Sequence, residues 1–136
     1  MKQIESVTLD EAHRLIEAGR KKAQEIGSPS NVAVVDAGGN LLAFARMDDA
    51  WLGSIDIAIN KAFTSRAFNI STKDLANMAK AGGPLFGIHT TNHGRVVIFA
   101  GGIPLKRGDA VYGAVGVSGG DVEQDQTVAE AAAQAF

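Results

Sequence analysis

The segment from Gly101 to Asp125 constrains the fold more than any other part of the sequence. Gly113 and Gly116 interrupt the apolar run Val111–Val117, and a glycine inside a strand usually marks a bulge or a place where another group approaches the backbone closely. Ser118–Asp121 then supplies a turn and a helix-capping residue. The segment therefore predicts a strand, a glycine turn and a helix whose first turn is acidic, where the helix dipole stabilises negative charge.

Capping and turn signals predict the other elements. Thr8 and Glu11 have the spacing of a capping box, and apolar residues then recur at helical intervals through Ile26. Gly38, Gly39 and Asn40 lie between two apolar runs, which is typical of a hairpin. The predicted helices are Val7–Ile26, Ser54–Asn69, Ser71 to about Gly82, and Val122–Phe136, and the predicted strands are Asn31–Asp36, Leu41–Met47, Val96–Ala100, Ile103–Arg107 and Ala110–Ser118. Because hairpins join neighbouring strands, we expect an α+β fold in which helices cover a five-stranded antiparallel sheet.

Composition limits the classes of function. The 136 residues, of which 46% are hydrophobic, suffice for one core and predict a single domain, residues 1–136. The net charge of −2 does not favour binding to nucleic acid or to an anionic membrane. The lack of cysteine excludes disulfides and thiolate chemistry. No apolar run approaches the length of a membrane span or forms a signal segment, so we expect a cytoplasmic protein.

Five strings of the sequence resemble the GlcG/HbpS family, which also includes the C-terminal domain of PduO-type corrinoid adenosyltransferases. These strings are VVDAGGNLLAFARMDDA (Val34–Ala50), NKAFTS (Asn60–Ser65), FGIHTTN (Phe86–Asn92), GGIPL (Gly101–Leu105) and GAVGVSGGDVEQDQTVA (Gly113–Ala129). The resemblance implies a profilin-like three-layer sandwich with the sheet between helices, and it implies homo-oligomers. It also implies binding of haem or a corrinoid by some members, with haem degradation proposed for some.

His13 is the candidate metal ligand. It lies at the border of the apolar face of the first helix, where an imidazole nitrogen could bind haem iron. The resemblance to PduO-type relatives implies that a histidine early in this helix is a ligand. The alternative is a half-exposed surface histidine, which the burial habits of this residue type favour.

Cations in the apolar central helix are the next candidates. Lys61 and Arg66 need partners there, because an unpaired buried charge is costly. In a functional interpretation these residues, with Arg46 at the end of the second strand, bind carboxylates of a small ligand such as the propionates of haem. In a structural interpretation they pair within the chain. The carboxylates available for internal pairing are Asp36, Asp48, Asp49, Glu123 and Asp125.

Glycines form the last candidate site. Gly101, Gly102 and the turn at Ser118 could present main-chain N–H groups to an anion, although Glu123 and its acidic neighbours would repel a phosphate. Alternatively, the glycines allow tight strand packing and subunit contact. His89, in a loop of threonine and asparagine, is predicted to line a ligand cleft.

Three functions are compatible with these residues. The first is an oligomeric protein that binds a tetrapyrrole between the first helix, the central helix and the glycine-rich strands. The second is an enzyme that acts on a small hydroxy or keto acid in glycolate, diol or glycerol metabolism, through Asp36, Arg46 and Lys61. The third is a structural subunit whose glycine-rich surface packs against copies of itself.

Overall fold

The computed structural model describes residues 1–136 and contains four α-helices and four strands. In chain order the elements are α1 (Leu9–Ile26), β1 (Asn31–Val35), β2 (Leu41–Arg46), α2 (Gly53–Phe68), α3 (Thr72–Ala79), β3 (Gly102–Arg107), β4 (Ala110–Ser118) and α4 (Val122–Gln134). Two short 3₁₀ turns, Ile88–Thr90 and Asn92–Gly94, lie between α3 and β3. None of the helices is both long enough and apolar enough to span a membrane.

Reciprocal caps begin the first and last helices. The Thr8 side chain accepts a hydrogen bond from the Glu11 backbone N–H at 3.2 Å, and the Glu11 carboxylate accepts one from the Thr8 N–H at 2.9 Å. Asp121 and Gln124 repeat this arrangement before α4. Each box satisfies backbone donors that the first helical turn leaves free. The predicted capping box at Thr8 is confirmed.

The strands form one antiparallel sheet in the order β2-β1-β4-β3. Successive residues of β1 point to opposite faces, as the pleat of a strand requires. Val32 and Val34 pack into a large apolar cluster with α1 and α4, whereas Ala33 and Val35 pack into a smaller cluster with α2. The sheet therefore lies between two helical layers, α1 with α4 on one face and α2 on the other.

Gly116 sets the distance between α2 and the sheet. A Cβ at this position would clash with the Ala58 carbonyl oxygen and with the backbone of Ala62. Both helix residues are fully buried alanines, so small side chains and a glycine allow α2 to pack very closely on β4. The glycine pattern in the sequence thus marks a close approach of two backbones.

The prediction of a fifth strand at Val96–Ala100 is wrong, and the sheet has four strands. The Val97 N–H donates to the Thr64 hydroxyl of α2 at 3.0 Å instead of to a neighbouring strand. Gly101 then takes a φ of +124°, which turns the chain into β3. The apolar run is therefore partly buried against a helix without joining the ladder of the sheet.

Candidate functional site

Lys61 and Asp125 form a buried ion pair that joins the two helical layers. The Lys61 Nζ donates to Asp125 Oδ2 at 2.9 Å and to the Val117 carbonyl oxygen at 2.8 Å. The two side chains are 0% and 3% exposed. Asp125 Oδ1 also accepts from the Gly120 N–H at 3.0 Å. Lys61 thus has the internal carboxylate partner that the structural interpretation requires.

Burial dominates the electrostatics of this pair. Desolvation lowers the pKa of the Lys61 ammonium below its usual 10.5, and the attraction and hydrogen bond of Asp125 offset this only in part. The ring of Phe99 covers the ammonium, with 5.1 Å between Nζ and the ring centroid. A lysine in this setting is a structural cation, because its hydrogen bonds are directed to the protein itself.

Gly101 and Gly102, which were candidates for anion binding, donate their N–H groups to the protein instead. The Gly101 N–H donates to Gln126 Oε1 at 3.1 Å, and the Gly102 N–H donates to the Thr72 hydroxyl at 2.9 Å. A Cβ on Gly101 would lie 2.7 Å from the Lys61 Nζ. Gly101 therefore makes room for the lysine side chain and Gly102 for the backbone of α2, and the N–H groups of both glycines are bonded to protein oxygens.

Ser118 is buried against α2, whereas Glu123 is exposed on α4. The buried Ser118 hydroxyl donates to the Ser54 hydroxyl at 3.0 Å and so links β4 to α2. Glu123 is exposed in the first turn of α4. Together with Phe99 and Val122 it lines a surface groove of about 520 Å³ between α3 and α4. We call this the α3–α4 groove.

Asp36 and Arg66 support the hairpin between β1 and β2. Asp36 Oδ1 accepts from the N–H groups of Gly38 at 2.9 Å and Asn40 at 3.0 Å. Arg66 Nε donates to the Ala37 carbonyl oxygen at 2.7 Å. The structure thus places Asp36 as a turn-forming side chain and Arg66 as a brace from α2.

His89 lies in the first 3₁₀ turn, away from the other candidates. Its ring is half-buried and meets the exposed Phe86 ring edge to face at 6.2 Å. The buried Nδ1 atom of His89 has no hydrogen-bond partner within the chain. His93 is exposed, with a φ of +58°.

His13 and Arg46 lie on the side of the molecule that is formed by α1 and the edge strand β2. Both side chains are exposed and form no side-chain hydrogen bond within the chain. Arg46 lines a groove of about 400 Å³ between α1 and β2. The other lining residues are Arg20, Gln24, Met47 and Asp48. We call this the α1–β2 groove.

Arg20 is the residue of this groove that sequence reasoning missed. It follows His13 by seven residues, which places both on the same side of α1 at a distance of about 10 Å along the helix axis. That seven-residue spacing is a signal that the sequence carries, but Arg20 lies at a half-buried helix position with no other distinguishing feature. The Glu17 carboxylate accepts from Arg20 Nε at 2.9 Å and from Nη2 at 2.6 Å.

The layered arrangement of helices and sheet determines which candidate residues can contact the same ligand. The sheet separates α1 from α2, so one ligand on a single chain does not contact His13 together with Lys61 and Arg66. The structure brings His13, Arg20 and Arg46 to one surface, and it brings Lys61, Gly101 and Gly102 into the interior. These are two separate regions of the molecule.

Comparison with known proteins finds relatives that match nearly the whole chain. The family model described as "Haem degrading protein HbpS-like" matches residues 7–134. An uncharacterized 15.0 kDa protein from the dhaT-dhaS intergenic region of Citrobacter freundii is 45% identical, over 98% of this chain and 94% of that protein. The corrinoid adenosyltransferase PduO of the same organism is 38% identical over 96% of this chain, but the match spans only 39% of that enzyme.

A solved structure agrees with this assignment. The crystal structure of a PduOC:heme complex superposes with a TM-score of 0.92 at 36% identity, over 96% of this chain and 95% of that chain. Similarity at this level extends through both helical layers and the sheet. The chain belongs to the HbpS-like family, because that family model matches it over residues 7–134.

Proposed function

We propose that this protein binds haem or a related metal tetrapyrrole on its α1–β2 side, with His13 as the axial ligand. The observation that carries the proposal is the state of His13, an exposed imidazole that no group of the chain engages. Imidazole is a common axial ligand of haem iron. The heme complex of the similar PduOC structure supports the choice of ligand class.

The donor set on this surface fits such a ligand. A tetrapyrrole has its metal at the centre and its acidic groups at one edge, so it needs a nitrogen ligand and cations that are set apart from it. His13 provides the nitrogen, and Arg20 lies about 10 Å further along the same helix. Arg46 faces the same groove from β2. In contrast, the Lys61 ammonium is bonded to Asp125 and has no exposed surface.

The residues of the chain would hold the ligand, and the bound haem would supply an iron centre that binds small molecules or transfers electrons. His13 would fix the position of the metal, and the stiff helix α1 would fix the orientation of the imidazole. A corrinoid, whose cobalt also accepts an imidazole nitrogen, is the alternative ligand of the same class.

We also propose that the protein forms homo-oligomers. Trp51, Leu52 and Phe86 are 63%, 72% and 66% exposed, and large apolar side chains that remain in contact with water often mark contact surfaces between proteins. Light scattering at micromolar concentration should give a mass of at least two chains. A monomer mass would contradict oligomer formation without affecting the proposal on ligand binding.

A spectroscopic titration tests the proposed function. Haem is added to the purified protein and the Soret band is followed, with cyanocobalamin in a parallel titration. We expect a shifted and saturable Soret band for the wild type, and loss of that band for His13→Ala. An unchanged haem spectrum at micromolar concentration would reject haem as the ligand.

His93→Asn is the matched control for this titration. His93 is also exposed, but it lies in the 3₁₀ region between α3 and β3. Asparagine tolerates the left-handed backbone of this position, where φ is +58°. We expect this variant to bind haem like the wild type. Equal loss of the Soret band in both variants would show that His13 has no special role.

A further inference from the structure

Two arginines in the α1–β2 groove have different surroundings. Arg46 takes part in none of the ion pairs of the chain. Arg20 forms a forked contact with Glu17 on the preceding helical turn, with Nη2 and Oε1 2.6 Å apart. Arg20 Nη1 also donates to Gln24 Oε1 at 3.4 Å. The groove therefore contains one free guanidinium and one that a neighbouring carboxylate already holds.

We infer that the α1–β2 groove is a carboxylate-binding site that takes the acidic side chains of the ligand. This inference rests on the proposed function and identifies which edge of the tetrapyrrole the protein recognises. A planar guanidinium matches a carboxylate in geometry and stays charged at all physiological pH values. Arg46 is the primary partner of the ligand, since its guanidinium has no partner to displace.

Glu17 limits the access of a ligand to Arg20, the second cation of the site. It occupies the fork of Arg20, so a ligand carboxylate competes with Glu17 for the same donors. The pair is solvent-exposed, with side chains 41% and 49% accessible, and exposed pairs of this kind contribute little to stability. Removal of the Glu17 charge should therefore free Arg20 for the ligand without harming the fold.

Asp48 and Met47 define the remaining wall of the groove. Asp48 is the one carboxylate among the residues that line the groove, and its charge repels any anion that binds close to it. Met47 Sδ accepts from the Ser30 N–H at 3.5 Å, and the Met47 N–H donates to the Ser30 carbonyl oxygen at 3.1 Å, so the chain just after Arg46 is held beside the residue that precedes β1. Arg46 is thus presented from a fixed point at the end of the edge strand.

Binding of haem and of haem dimethyl ester separates this inference from the proposed function. The ester keeps the iron and the ring but lacks both carboxylates. Quenching of Trp51, the single tryptophan of the chain, can report both affinities. We expect the ester to bind about ten- to a hundred-fold more weakly than haem, the range of one or two charge-assisted hydrogen bonds.

Charge variants then locate the site. Arg46→Gln should weaken haem binding about ten-fold and leave the affinity for the ester unchanged. Glu17→Gln should strengthen haem binding by up to about five-fold, because it releases Arg20. Glu25→Gln is the matched control, since Glu25 also pairs with a cation of α1, Lys22 at 3.5 Å. We expect no change in affinity for this control.

Each outcome discriminates between the two claims. Equal binding of haem and its ester, with Arg46→Gln like the wild type, would overturn the carboxylate site and leave the proposed function intact. Weaker haem binding by Glu17→Gln would also overturn it, because that result would make Glu17 a support of the site. Failure of both compounds to bind would overturn the proposed function and this inference together.

Discussion

The buried pair of Lys61 and Asp125 should make a large and strongly coupled contribution to stability. Asp125→Asn leaves the Lys61 ammonium in the interior without a counter-charge. Lys61→Met leaves the Asp125 carboxylate in the same position. Removal of one partner of a buried pair costs about 3–5 kcal/mol, a large part of the roughly 5–15 kcal/mol that stabilises a typical domain. Both single variants should therefore approach the limit of folding.

The double variant Lys61→Met with Asp125→Leu should be more stable than either single variant. It removes both charges and replaces them with apolar groups of similar length, a change that is often neutral or stabilising. The lowered pKa of Lys61 supports this, because it shows that desolvation outweighs the attraction of Asp125. The remaining cost comes from the Gly120 N–H and the Val117 carbonyl, which lose a partner and should cost about 1–3 kcal/mol each if water cannot reach them.

Urea unfolding at pH 7 gives the free energies of unfolding for this cycle. Glu123→Gln is the control, because Glu123 is exposed in the same helical turn as Asp125 and should change stability by less than about 0.5 kcal/mol. A loss of less than about 1 kcal/mol in each single variant would refute the reasoning. So would a double variant whose loss equals the sum of the two single losses, since the charges would then be independent.

Three further predictions concern backbone fit and titration. Gly101→Ala should unfold the protein or cost several times more than Gly108→Ala. Both glycines have a positive φ, but a Cβ at Gly101 would lie 2.6 Å from the Val117 carbonyl oxygen and 2.7 Å from the Lys61 Nζ, whereas a Cβ at Gly108 meets nothing within 4 Å. Equal thermal stabilities would contradict this. The pKa of Lys61 is lowered from 10.5, so the folded protein binds fewer protons than the unfolded chain just below pH 10.5. The free energy of unfolding should therefore rise with pH in that window. An identical slope in Lys61→Met would contradict this prediction. Hydrogen bonds from the Thr8 backbone and hydroxyl lower the pKa of Glu11 below 4.5, so its contribution to stability is present above pH 4.5 and lost as the pH falls through the lowered value. Its NMR midpoint should move part of the way back in Thr8→Ala, and a wild-type midpoint at or above 4.5 would contradict the cap.

Local features of the fold were predictable because they depend on a few neighbouring residues. Thr8 and Glu11 cap α1 as their spacing predicts. Gly38, Gly39 and Asn40 lie in the hairpin between β1 and β2, as these residues predict. In contrast, the apolar run Val96–Ala100 has the composition of a strand, and only its contact with Thr64 of α2 shows why it stays outside the sheet.

The candidate site was less predictable, because it depends on which face of the sheet each helix covers. The sequence predicts that Lys61 needs a partner, but it offers several carboxylates, and the structure shows that Asp125 is the partner. The sequence also places Lys61 and His13 on two helices, but it does not indicate that the sheet separates these helices. Arg20 carries no distinctive pattern beyond its seven-residue spacing from His13, and it becomes a candidate because β2 brings Arg46 to the same groove.

Mapping of the bound ligand by NMR tests the central claim most directly. Zinc protoporphyrin is diamagnetic and can be added to ¹⁵N-labelled protein without loss of signals to paramagnetic iron. We predict amide shifts that cluster at His13, Arg20 and Arg46, on the α1–β2 side. Shifts that cluster instead at Phe99 and Val122, in the α3–α4 groove, with the amides of α1 unmoved, would contradict the account.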